Sequence, residues 1–349
     1  MTGHYTGRDH IASAFGGART DRIPVRTMQS FIPVLGRAGV TPKEVRTQPE
    51  KFVKAMVTLY DVVPQDGITM LVGDPGLFAE LFGVSFQELK ERGMGGLAFG
   101  EGKRLTLPPM PDIKSYERLH YYQEICNLAD KELPETTIDA MSVSPWSTAM
   151  MMRGIENTIY DTKEDPERVH ELLRFTTEFA KLVARGLVEA NIGCLTIADP
   201  SAGCSVISPK MFRKWVQPYL QETIDYVRQY TDKPICLHIC GYTDPIMEDL
   251  VSMGVDGISI DAPASLAKMV EASQGKVAVI GNFAGETYVE GTREEIERRV
   301  RESIDTAAAP SDYRYILCSG CQVPDNAPLE NVIHFLECGR RYGSYSERR

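Results

Sequence analysis

The feature that most limits what this chain can become is an alternation. Eight short runs rich in β-branched and apolar residues are each followed by a longer stretch with helical spacing. The runs are Arg22 to Met28 (RIPVRTM), Asp66 to Val72 (DGITMLV), Thr136 to Val143 (TTIDAMSV), Ile192 to Ala198 (IGCLTIA), Pro234 to Cys240 (PICLHIC), Asp256 to Asp261 (DGISID), Lys276 to Asn282 (KVAVIGN) and Tyr313 to Ser319 (YRYILCS). Strands alternating with helices form parallel βαβ units. Eight units close a (β/α)8 TIM barrel, whereas open doubly wound sheets stop at about five to seven strands. The expected fold class is therefore α/β, one TIM-barrel domain over 1–349, with an N-terminal helical extension in 1–20. The long stretch 78–133 after the second strand, which contains RGMGGLAFGEGKR (Arg92 to Arg104), is expected as an insertion that rims or lids one end.

Helix signals agree with this reading. Pro166 to Asn191 keeps Val169, Leu172, Leu173, Phe179, Leu182, Val183 and Leu187 on one stripe, with Asp165 placed as an N-cap. Thr292 and Glu295 have capping-box spacing, and Asn331 to Arg341 closes the chain as an amphipathic helix.

Composition removes several classes of function. With 43% hydrophobic residues, and 38 Lys+Arg against 48 Asp+Glu for a net charge of −10, the chain is neither disordered nor collagen-like. No basic stripe is available for nucleic acid. No apolar run approaches the roughly 18 residues of a membrane span, and Met1 to Gly17 lacks the apolar core of a signal peptide. A cytoplasmic protein with neither membrane nor nucleic acid as partner is expected. In that setting the eight cysteines, Cys126, Cys194, Cys204, Cys236, Cys240, Cys318, Cys321 and Cys338, read as metal-binding, catalytic or buried rather than as a disulfide framework.

Barrel active sites lie at the C-terminal ends of the strands. The fifth run ends in His238-Ile239-Cys240-Gly241, the sixth in Asp261, the seventh in Asn282, and Cys321 lies just past the eighth. Residues two apart on a strand face the same side, so His238 and Cys240 point together. Alone, that spacing also suits a core histidine beside an inert thiol; Cys321 at a strand mouth shifts the reading to a metal. One imidazole and two thiolates suit zinc and leave a fourth position open or weakly held, as in catalytic sites. Asp261 is a candidate for that position, or else a hydrogen-bonding neighbour that orients His238. Cys236 sits one strand repeat deeper and reads as barrel core. Cys318 forms a C-x-x-C with Cys321, which leaves a closed site of three Cys and one His, or a redox pair, as alternatives, but its place inside the strand favours Cys321 as the ligand.

At these residues the sequence resembles the uroporphyrinogen decarboxylase superfamily, and within it the cobamide-dependent methyltransferase branch. The matching segments span nearly the whole chain: DRIPV (Asp21 to Val25), VGDPGLFAELFG (Val72 to Gly83), SPWSTAMMMRGIEN (Ser144 to Asn157) followed by DPERVHELL, DPSAGCSVISPKMF (Asp199 to Phe212), HICG (His238 to Gly241), GISID, Gly281-Asn282 and ILCSGCQVPDNAPLEN (Ile316 to Asn331). HICG together with SGCQVP is the most specific pair. The resemblance implies zinc on His238, Cys240 and Cys321. Similarity to cobalamin-independent methionine synthase adds weight to Asp261 as the fourth ligand. The Arg-rich N-terminal motif of the decarboxylases is missing from PVRTMQSFIPVLGRAG, although Asp74 falls where the family has its characteristic aspartate.

The resemblance implies methyl transfer between a small substrate (a thiol, a methoxylated aromatic as in O-demethylation, or a methylamine) and the cobalt of a corrinoid on a separate protein. Zinc would lower the pKa of a bound thiol or polarise a methyl donor. Asp199, Asn282, Asp74 and Gln29 lie at strand ends suited to orienting a substrate, and Met150, Met151 and Met152 are candidates for a soft wall against the corrin. The alternative is a decarboxylase of the uroporphyrinogen type that uses no metal. Homo-oligomerisation is left open.

Overall fold

A computed structural model describes residues 5–16, 19–71, 77, 107–308 and 313–345. Seven strands form one sheet in chain order: β1 (Gly67–Leu71), β2 (Thr137–Ser142), β3 (Cys194–Ala198), β4 (Ile235–Ile239), β5 (Gly257–Ile260), β6 (Ala278–Phe283) and β7 (Tyr315–Ser319). Every pairing is parallel. The main helices are α1 (Gly7–Ala14), α2 (Pro49–Val62), α3 (Glu117–Glu132), α4 (Pro145–Arg153), α5 (Pro166–Glu189), α6 (Gln217–Arg228), α7 (Leu266–Ser273), α8 (Arg293–Ala307) and α9 (Leu329–Tyr342). Asp165 and Thr292 cap α5 and α8 through the backbone N–H groups of Arg168 and Glu295. Among the described residues no helix is long and apolar enough to cross a membrane.

The sheet has seven regular strands where eight were expected. The first expected run makes only isolated bridges, parallel from Val25 to Leu317 of β7, from Thr27 to Ile68 of β1 and from Met28 to Gln322, and antiparallel from Arg22 to Ser344. Its backbone donors explain why. The N–H of Val25 goes to Asp66 Oδ2 at 2.7 Å, that of Thr27 to Gln65 Oε1 at 2.7 Å and that of Met28 to Ser319 Oγ at 2.9 Å, while Pro24 has none to give. Side-chain acceptors take these three donors, while Arg26 N–H keeps a backbone bond to Leu317 O at 2.9 Å, so the segment still joins both edges of the sheet. The insertion expected at 78–133 is described only in part. Its C-terminal part is α3, a crossover helix packed between α2 and α5; residues 78–106 lie outside the described residues.

Alternation along the strands sorts side chains into two cores. Ile138, Ala140, Leu195, Ile197, Leu237, Ile239, Ile258, Ile260, Val279, Tyr315 and Leu317 face the helices in the main cluster. Met141, Cys194, Cys236, Ile280, Ile316 and Cys318 face the other way, and join Met28 with Ile11 and Ala14 of α1. The extension expected in 1–20 thus contains a helix that packs beneath the inner face: Arg8 N–H bonds to Glu135 O, just before β2, so α1 closes the N-terminal end of the strands. Cys236 and Cys194 are buried core, with sulfurs 3.2 Å apart.

One charged pair interrupts the inner face. Arg26 Nη1 donates to Asp139 Oδ2, and both residues are buried, yet Arg26 Nε and Asp139 Oδ1 find no partner among the described groups. Removing one member strands the other charge. Arg26→Met should cost about 3–5 kcal/mol, and Arg26→Met combined with Asp139→Leu should recover much of it. Urea unfolding of the two variants checks this, and equal losses in both would sink the account.

Candidate metal centre

The inner face carries its chemistry at the C-terminal ends of the strands. On β4, His238 shares the parity of Cys236, and Cys240 follows immediately after the strand. His238 Nε2 lies 3.3 Å from Cys240 Sγ, and Cys240 Sγ lies 3.8 Å from Cys321 Sγ. The three ligand atoms all fall within 4.8 Å of one another. His238 is buried and both cysteines are half-buried.

Backbone geometry brings Cys321 there. Gly241 has φ +75°, which turns the chain sharply after Cys240, and its N–H donates to Asp261 Oδ2 at 2.8 Å. Asp261 Oδ1 accepts from Ala262 N–H at 2.7 Å. Gly320 packs directly on that same turn: a Cβ on it would lie 2.6 Å from Ala262 N and 3.1 Å from the Asp261 carbonyl carbon. The loop carrying Cys321 can approach the segment after β5 because residue 320 has no side chain.

The thiols do not share their proton evenly. Cys321 is held down to about 4, first by its hydrogen bond with Cys240 and next by His238. Cys240 is pushed up, first by sharing its proton with Cys321 and next by burial. The two sulfurs thus share one proton between them, and a metal would take both as thiolates. A soft donor set of one nitrogen and two sulfurs fits zinc.

The other expected site residues fall into separate places. Asp261 lies outside the cluster of ligand atoms, both its oxygens engaged by backbone N–H groups. The partner of His238 Nδ1 is instead Ser259 Oγ at 3.0 Å. Ser259 went unnoticed in the sequence, although it stands two residues before Asp261 and so on the same face. Asn282 Nδ2 donates to the carbonyls of Ala264, at 2.7 Å, and Asp261, at 3.3 Å, bracing the loop after β5. Gln29 is buried with its Oε1 unpartnered. Asp74 lies outside the described residues. Met150, only 1% exposed, packs inside the main core, as does nearly the whole of α4. Met152 is equally buried, while Met151 is half-buried. Cys318 is buried within β7, in the inner core.

Asp199 turns to the start of α4, where Oδ1 accepts from Ser147 N at 3.1 Å and from Ser147 Oγ at 2.5 Å, and Oδ2 is buried without a partner. Burial raises its carboxyl from 3.8 to about 7, against the opposing hydrogen bonds of Ser147.

A second grouping, Glu297, His334 and Cys338, lies on α8 and α9. Its donors are already spent. Arg293 Nη2 approaches His334 Nδ1 at 2.9 Å, the Arg293 carbonyl lies 3.1 Å from Nε2, and Arg341 sits 3.1 Å from Glu297. Two guanidiniums make it a poor place for a cation.

Residues 6–342 match the uroporphyrinogen decarboxylase (URO-D) family. The chain belongs to that family. It is similar to a methylcobamide:CoM methyltransferase of Methanosarcina barkeri, with 23% identity covering 94% of this chain and 96% of the relative. A methylcobamide:CoM methyltransferase of Methanosarcina acetivorans is 25% identical, covering 97% and 98%. Among solved structures, a methyltransferase from Methanosarcina mazei superposes with a TM-score of 0.75 over 97% of this chain and 99% of the other, at 20% identity, and so shares the fold.

Two outcomes test the site. Gly320→Ala should destabilise the protein by about 1–3 kcal/mol, as overpacking does, whereas Gly36→Ala, with nothing within 4 Å, should change little; equal unfolding midpoints would refute the close approach. Because the native state favours the protonated Asp199, its contribution to stability is full below about pH 4 and lost as pH rises through about 7. Asp199→Asn keeps the acceptor for Ser147 and should flatten that decline. Unfolding free energies at about pH 5 and about pH 8 that fall equally in both proteins would contradict the raised carboxyl.

Proposed function

We propose that the protein is a zinc-dependent methyltransferase that moves a methyl group between a small substrate and the cobalt of a corrinoid carried by a partner protein. The observation that carries this reading is the convergence of His238, Cys240 and Cys321 within 4.8 Å at one end of the sheet. Similarity along nearly the full length to methylcobamide:CoM methyltransferases supports the reaction class. We read the architecture as a (β/α)8 barrel, with residues 22–28 as the eighth stave.

His238, Cys240 and Cys321 would hold the zinc. When bound, it supplies Lewis acidity that lowers the pKa of a thiol or stabilises a leaving group. The chain's own residues prepare the place. The hydrogen bond from Gly241 N–H to Asp261 fixes the turn that presents Cys240, and Gly320 seats the loop that presents Cys321. Beneath them Met28, Met141, Cys236 and Cys318 fill the inner face, which excludes water from below and leaves the strand mouths as the approach for both reactants. Thiols, methoxylated aromatics and methylamines are the substrate classes we propose to screen. Asp199, Asp261 and Asn282 are proposed to order the strand-end loops that face a substrate, through the hydrogen bonds described above; Asp74, outside the described residues, is proposed from the sequence as a fourth orienting residue.

A metal-free decarboxylase would give this convergence of one nitrogen and two sulfurs nothing to do. The purified protein should carry about one zinc per chain, retained in Cys318→Ser and lost in Cys240→Ser and Cys321→Ser. Incubation with cob(I)alamin and each methyl donor, or with methylcobalamin and each thiol, should change the cobalt absorbance for one class. Stoichiometric zinc in none of the preparations, or no turnover with any class, would overturn the proposal.

A further inference from the structure

We infer that Ser259 is the positioning residue that sets the tautomer and aim of His238 toward the metal, an inference that rests on the zinc reading above. Ser259 and His238 are paired neighbours in the β4–β5 register and both are buried on the inner face. The imidazole nitrogen turned to the sulfurs is Nε2, 3.3 Å from Cys240 Sγ. The other, Nδ1, lies 3.0 Å from Ser259 Oγ.

A histidine that gives Nε2 to a metal must carry its proton on Nδ1, and in a buried place that N–H needs an acceptor. Asp261 is not it: both its oxygens are engaged by Gly241 and Ala262. Ser259 alone faces Nδ1 among the hydrogen bonds of the described residues. A hydroxyl can donate or accept. Before metal enters, it can donate to Nδ1 while Nε2–H faces the sulfurs; with metal bound, it rotates to accept from Nδ1–H. A carboxylate in its place could only accept, and would add a third negative charge beside two thiolates. The neutral hydroxyl orients the ring and leaves the metal its electrophilicity.

The test is metal affinity in the full chain, measured by zinc competition against a chromophoric chelator and by the absorption of the cobalt(II)-substituted protein. Ser259→Ala should bind zinc about 10–100-fold more weakly with altered cobalt bands, and Ser259→Thr, which keeps the hydroxyl, should stay near wild type. Unfolding midpoints show whether each variant is folded. Wild-type affinity in Ser259→Ala overturns the inference, as does a loss in Ser259→Thr as large as in Ser259→Ala. If Ser259→Ala does not fold, 15N shifts of His238 in the zinc-loaded wild-type protein decide: a proton on Nδ1 upholds the assignment, metal on Nδ1 refutes it. A wild-type chain that takes up no zinc fails the functional proposal itself; a zinc-loaded wild type matched by Ser259→Ala fails Ser259 only.

Discussion

Everything at the centre follows from the alternation of side chains across a parallel sheet whose outer face is buried under helices. The outward residues of β2 to β7 are apolar because α2 to α9 cover them. The inward residues are released from that demand and carry methionine, cysteine, histidine, serine and the Arg26–Asp139 pair. A one-residue slip in β4 would send His238 and Cys240 into the helix layer and Leu237 and Ile239 inward. The fold and the site therefore share one register.

Within that frame β5 joins the two loops that carry the sulfurs. Its residue Ser259 touches His238, and Asp261, just past its end, holds the turn after Cys240 and supplies the backbone on which Gly320 rests. Hydrogen bonds to an ionised carboxylate are worth about 1.5–3 kcal/mol each, enough to fix a loop of a few residues. The site is built on strand ends held by their neighbours, which keeps the three candidate ligand atoms together.

Much of this was legible in the chain. The βαβ alternation, the capped helices after Asp165 and Thr292, and the shared parity of His238 and Cys240 all depend on short-range pattern. What escaped depended on partners distant in sequence. The run at residues 22–28 reads as a strand, but the N–H groups of Val25, Thr27 and Met28 are taken by the side chains of Asp66, Gln65 and Ser319, so only bridges remain. Met150 reads as a rim residue, yet it packs inside the main core with nearly the whole of α4. Asp199 stands at a strand end as a substrate residue would, and turns to the start of α4, where Ser147 waits. Ser259 carries no motif of its own.

By itself the sequence determined the strand count to within one, the two faces of each strand and the residue types able to hold a soft metal, because these follow from local periodicity and side-chain chemistry. Tertiary structure decided the rest. Cys240 and Cys321, 81 positions apart, meet because the ends of β4, β5 and β7 converge and Gly320 lets the backbones touch. No periodicity encodes such a meeting, since it depends on the three-dimensional closure of the sheet and on a side chain that is missing.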